Sequence, residues 1–132
     1  MDAANQVIGW FSFFQQEPLI GLIDMDLLLI VDYVLLLVVF LSLWVVLRRS
    51  NESFMAIALI LQIISIATYF SSTVALEMLS LSNQYTAATT DTERFTFLVA
   101  GQAMLATWQG TAFDVSYILG AIALLTVSYV MF

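Results

Sequence analysis

The sequence predicts an all-α integral membrane protein, with about three transmembrane helices plus an interfacial amphipathic helix, on three observations. Of 132 residues, 62% are hydrophobic and only 10% are charged, where a soluble domain sits nearer half apolar and a quarter charged. From Leu27 to Leu47 the only charge is Asp32, and from Phe54 to Leu76 there is none. A run of about 20 such residues, at 1.5 Å rise each, matches a hydrocarbon layer roughly 30 Å thick. Lipid offers the backbone no hydrogen-bond partner, so each run must close its bonds within a helix or a closed barrel. Barrel strands would be half as long and alternate polar with apolar. These runs do neither.

Residues 1–17 set Val7, Ile8, Trp10, Phe11, Phe13 and Phe14 among polar neighbours, an interfacial segment suited to the headgroup layer. It has no basic start, and Asn5, Gln6, Ser12, Gln15 and Gln16 interrupt its apolar residues. A secretory signal peptide is therefore not expected. Residues 18–132 read as one helical membrane domain. Pro18 suits the first turn of a helix, where its missing N–H has no partner to lose. The first span, about 19–47, ends in Trp44 and the pair Arg48 and Arg49. The loop that follows, 48–53, holds two of the three basic residues. The positive-inside rule places it in the cytoplasm, which puts the amino terminus outside the plasma membrane.

The second span, about 54–76, carries the chain back outward. The stretch 80–93, rich in Ser, Thr, Asn and Ala, reads as a loop. Thr90, Asp91, Thr92 and Glu93 have capping-box spacing, so a helix is expected to start there. The segment 95–109 is about 22 Å long as a helix, short for a span, and it carries Gln102, Thr107 and Gln109 before Gly110. It reads as part of an outer surface helix, about 91–109. The last span is then about 111–132.

Three segments resemble a known family: Pro18–Leu28 (PLIGLIDMDLL), Glu77–Ser82 (EMLSLS) and Gly110–Tyr117 (GTAFDVSY). They are similar to uncharacterised bacterial multi-pass membrane proteins of, or close to, the domain-of-unknown-function family numbered four-three-eight-six. The likeness runs from about Trp10 to Met131. Members of that family look longer, with a further span before this region and more after it, and with a basic residue soon after the position matching Met131. The resemblance implies a shortened member or a fragment, and a cytoplasmic carboxyl end. It implies no activity.

The chain has no Cys, no His and no Lys. That removes disulfides, thiolate chemistry, His-ligated zinc or haem, Schiff-base cofactors and a Ser–His or Ser–Lys nucleophile. No cofactor, metal site or catalytic residue is expected, and the chain reads as a non-enzyme. A net charge of −7 argues against nucleic acid as a partner. The expected partners are the lipid bilayer and other membrane chains or a second copy.

Ionisable side chains inside a span are costly and suggest function by default. Asp32 lies about 24 Å along the helix from Arg48, shallow in the outer leaflet, with Asp24 and Asp26 nearer the surface. On the second span Ala58, Gln62, Ser65, Tyr69, Ser72 and Thr73 share an arc of roughly 100° at helical spacing. Small and hydroxyl side chains permit close helix contact, so this face turns toward protein. Ala67, Ser71 and Ala75 suggest another contact. On the last span Asp114, Tyr117, Ala121 and Ser128 form a similar arc, with Asp114 near the depth of Asp32. Nearly all the acids fall on the outer side by this topology, Glu52 being the exception. Asp32, Gln62, Tyr69, Asp114 and Tyr117 therefore make a candidate polar pocket. The leading functional expectation is a structural or accessory subunit packing with itself or a larger assembly. The alternative is a small transporter or ligand-binding protein whose outer-leaflet pocket takes a proton, a cation or a small molecule.

Overall fold

The computed structural model describes residues 2–132, and they are helical nearly throughout. The chain runs α1 (Ala3–Gln16), α2 (Pro18–Leu22), a π-helical turn (Ile23–Leu27), α3 (Leu28–Leu47), α4 (Glu52–Phe70), α5 (Ala75–Ala87), α6 (Asp91–Trp108) and α7 (Thr111–Met131). Pro18 stands at the start of α2. From there to Leu47 the helix is unbroken over 30 residues. Three helical stretches, Pro18–Leu47, Glu52–Ala87 and Asp91–Met131, are long and apolar enough to cross a membrane. Within them α3, α4 and α7 have 20, 19 and 21 residues, which at 1.5 Å each reach roughly 30 Å.

The helix ends follow the sequence. Asn51 caps α4 by accepting a hydrogen bond from the Phe54 amide at 3.2 Å. Thr90 caps α6 with a complete capping box: its hydroxyl accepts from the Glu93 amide, and the Glu93 carboxylate accepts from the Thr90 amide. Near the end of α3 the Arg48 guanidinium lies 4.9 Å from the centre of the Trp44 ring.

Two units make up the chain. The first combines the residues up to Leu28 with Thr73–Gly110, and the second combines Leu29–Ser72 with Thr111–Phe132. In the first, α1 packs against α5 and α6. Val7, Phe11 and Phe14 are buried there with Met25, Met78 and Leu105. These rings of the amino-terminal segment are thus covered by protein. Gly101 on α6 admits the closest approach: a Cβ there would stand 2.6 Å from Val7 Cγ1 and 3.0 Å from Phe11 Cζ.

One sequence expectation is corrected here. Much of the stretch 80–93 is helix, because α5 runs through to Ala87 and α6 begins at Asp91. The buried face of α5 is Ala75, Met78 and Ser82, too small and too polar to announce itself as an apolar stripe. Ser82 donates to the Phe11 carbonyl at 2.9 Å, so its hydroxyl serves α1 rather than breaking α5. Helix α4 ends at Phe70, and a short break separates it from α5.

In the second unit α4 and α7 pack tightly. The expected face of α4 is the one used: Ala58, Gln62, Ser65, Tyr69 and Ser72 are all buried. The partner face of α7 is Ser116, Ala123 and Val127, with Gly120 between them. Of the arc expected on α7, Asp114 and Ser128 are exposed away from this contact, while Tyr117 and Ala121 line a cavity beside it. Ala67 and Ser71 are exposed as well. Helix α3 meets the pair through long side chains, Tyr33, Leu36, Phe40 and Trp44, and its backbone stays farther off.

Candidate functional site

The different spacing of these helices creates a cavity. Where α4 and α7 meet, small residues bring the backbones together: the Ser65 hydroxyl donates to the Ser116 carbonyl at 2.6 Å. A Cβ on Gly120 would lie 3.3 Å from Ser65 Oγ and 3.8 Å from Gln62 Oε1. Helix α3, held off by its larger side chains, leaves a cavity of about 250 Å³ between itself and that pair. Leu29, Asp32, Tyr33 and Leu36 supply the α3 wall at helical spacing, Gln62 and Ser65 the α4 wall, and Ser116 to Leu124 the α7 wall.

Its polarity is uneven. Gln62 retains only 2% exposure, yet its side-chain amide makes no hydrogen bond to any described residue and faces the cavity. The serine hydroxyls are committed to carbonyls, Ser65 as above and Ser116 to Phe113 at 2.7 Å. Tyr33 Oη lies 3.5 Å from Ser116 Oγ, and its ring stacks on Tyr69 with centroids 4.4 Å apart. Asp32 is exposed and sits at the mouth, within electrostatic range of Tyr117. The only charge in the lining is that of Asp32. Leu29, Leu36 and Leu124 supply the aliphatic part of the lining.

Of the five residues expected to share a pocket, Asp32, Gln62 and Tyr117 line this cavity. Tyr69 does not; it is fully buried behind Tyr33, in the core with Ile66. Asp114 does not line it either and is exposed. One helical turn separates Asp114 from Tyr117, and they face different surroundings. Sequence reasoning missed Tyr33 and Gly120. Tyr33 follows the conspicuous Asp32, and its position four residues before Leu37 on an apolar helix gave no polar pattern to read. Among the described residues no group of three or more acids gathers to hold a metal ion.

A second polar arrangement belongs to the first unit. Asp26 is 2% exposed. Its Oδ2 accepts from the amides of Val74 and Ala75 at 2.8 and 2.7 Å, and its Oδ1 accepts from Trp108 Nε1 at 3.2 Å. The side chain thereby caps the amino end of α5, whose own Val74 offers no side-chain cap. The turn that carries Asp26 is π-helical, a single-turn bulge inside an otherwise α-helical stretch. A wider hollow of about 450 Å³ in the same unit is lined by Trp10, Phe13 and Trp108 with Asn5, Gln6 and Gln109. Those three amide side chains are on exposed residues, so none is buried in want of a partner.

No protein-family profile, curated protein or solved structure matches the chain.

Proposed function

We propose that this chain is a multi-pass plasma-membrane protein that binds a small molecule in the cavity between α3, α4 and α7. In this reading the amino terminus is outside and the Arg48–Arg49 loop is cytoplasmic, as the positive-inside rule requires. Kinship with the domain-of-unknown-function family belongs to the same reading and rests on the three segments that resemble it. No catalytic role is assigned, since the cavity lining offers no nucleophile with a base beside it. The observation that carries the reading is Gln62. Its amide has no protein partner and opens on the cavity, so it forgoes a hydrogen bond worth about 0.5–1.5 kcal/mol that a ligand would supply. Gln62→Leu, of similar volume, should therefore raise the melting temperature of the protein in lipid nanodiscs. A fall instead would mean the amide is already satisfied, and the reading would lose its support.

A second reading, the accessory subunit, is favoured by the outward arc of α7. Asp114 and Ser128 are exposed on the chain and lie outside the cavity lining, and polar side chains in a span prefer protein to lipid. Because the chain has no native cysteine, Ser128→Cys gives a single thiol for cross-linking in membranes. Capture of a second copy supports self-assembly through this face; no protein adduct from well-expressed material opposes it.

A further inference from the structure

The cavity also indicates the chemistry of its occupant, an inference that rests on the binding role proposed above. Its lining has one carboxylate and no basic residue, so an anion would meet repulsion and no counter-charge. A single carboxylate balances one positive charge; divalent ions ask for several oxygen ligands, and no such acid group is gathered here. The carboxylate stands at the exposed mouth and the unpartnered amide at the buried floor, with Leu29, Leu36 and Leu124 along the walls. From Leu29 to Leu36 the α3 wall is about 11 Å long at 1.5 Å per residue.

We infer that the cavity takes an organic monocation: an ammonium group paired with Asp32, an apolar body against the leucines, and a hydroxyl or similar group hydrogen-bonded to Gln62. Neutral alcohols of the same length would enter the cavity but bind less tightly. Fatty anions would be excluded.

Three six-carbon probes test this by calorimetric titration of the protein in nanodiscs: hexylammonium, 1-hexanol and 6-aminohexanol. Hexylammonium should bind roughly tenfold more tightly than hexanol, the difference a charge-assisted contact gives, and 6-aminohexanol more tightly still. Asp32→Asn should erase the preference for hexylammonium over hexanol and leave hexanol unchanged. Gln62→Leu should erase only the advantage of 6-aminohexanol. Ala121→Trp, at an exposed position of the lining, narrows the cavity and should weaken all three. Equal binding of hexylammonium and hexanol, or a preference that survives Asp32→Asn, overturns the monocation while leaving the cavity a binding site. Failure of every probe to respond to Ala121→Trp overturns the binding role itself. An ammonium also occurs on ethanolamine lipids, so the titration is repeated with phosphatidylethanolamine added to phosphatidylcholine nanodiscs. Competition assigns a lipid headgroup as the source and its absence assigns a free amine; both support the monocation.

Discussion

A buried acid with no cation beside it must find its compensation in hydrogen bonds, and Asp26 finds three. Two come from amides at the start of α5 that no local side chain satisfies, so Asp26 does from a distance what Thr90 does locally for α6. Asp26→Ala leaves those amides unsatisfied in a buried place. The expected loss is roughly 2–6 kcal/mol at 1–3 kcal/mol for each of the two orphaned amides, read as a lower melting temperature in detergent. Asp26→Asn should cost less, because its carbonyl oxygen still accepts from α5 while Trp108 loses its acceptor. The Trp108 indole N–H should then exchange faster while the helix end stays protected. None of this was legible in the sequence. The partners lie 48, 49 and 82 positions away, and an acid near a helix start reads equally well as a solvated surface group. Gln62 was legible, because its neighbours at helical spacing were small and polar. Tyr69 was read correctly as part of that face, but its place in the core depends on stacking with Tyr33, which no periodicity reveals.

Among the helices, glycine positions separate contact faces from open ones. The Val7 and Phe11 atoms that crowd Gly101 belong to buried side chains with little room to give. Gly101→Leu should therefore destabilise the first unit by about 1–3 kcal/mol, as overpacking does. Gly9 has open space where a Cβ would stand, so Gly9→Ala should be neutral or stabilising by up to about 1 kcal/mol through helix propensity. Equal effects at both positions in thermal denaturation would contradict the α1–α6 packing. The start of α6 adds a pH dependence. Backbone hydrogen bonds from Thr89 and Thr90 hold the Glu93 carboxyl below its ordinary value. A lowered carboxyl contributes stability above its unfolded value, near 4.3, and that contribution is lost as pH falls through the lowered one. Protection of the Glu93 amide should be constant from neutral pH to about pH 5, then decline under more acid conditions. The capping box was legible because its four residues are adjacent. Helix α5 was not, because its burial depends on α1 rather than on its own apolar content.

For the chain as a whole, hydropathy was enough to show three helical stretches able to cross a membrane, since backbone hydrogen bonding in lipid leaves few alternatives. Division into two units was not readable, because each is assembled from segments distant in sequence: residues up to Leu28 with Thr73–Gly110, and Leu29–Ser72 with Thr111–Phe132. Sidedness rests on Arg48 and Arg49. The absence of cysteine makes the chain suited to thiol labelling, with Ser50→Cys in the loop after α3 and Thr89→Cys between α5 and α6 as single sites. The most direct test is labelling of these two variants with a membrane-impermeant maleimide on intact cells and after permeabilisation. The account predicts that Thr89→Cys labels on intact cells and Ser50→Cys only after permeabilisation. Labelling of Ser50→Cys on intact cells, or of both sites from the same side, would contradict it.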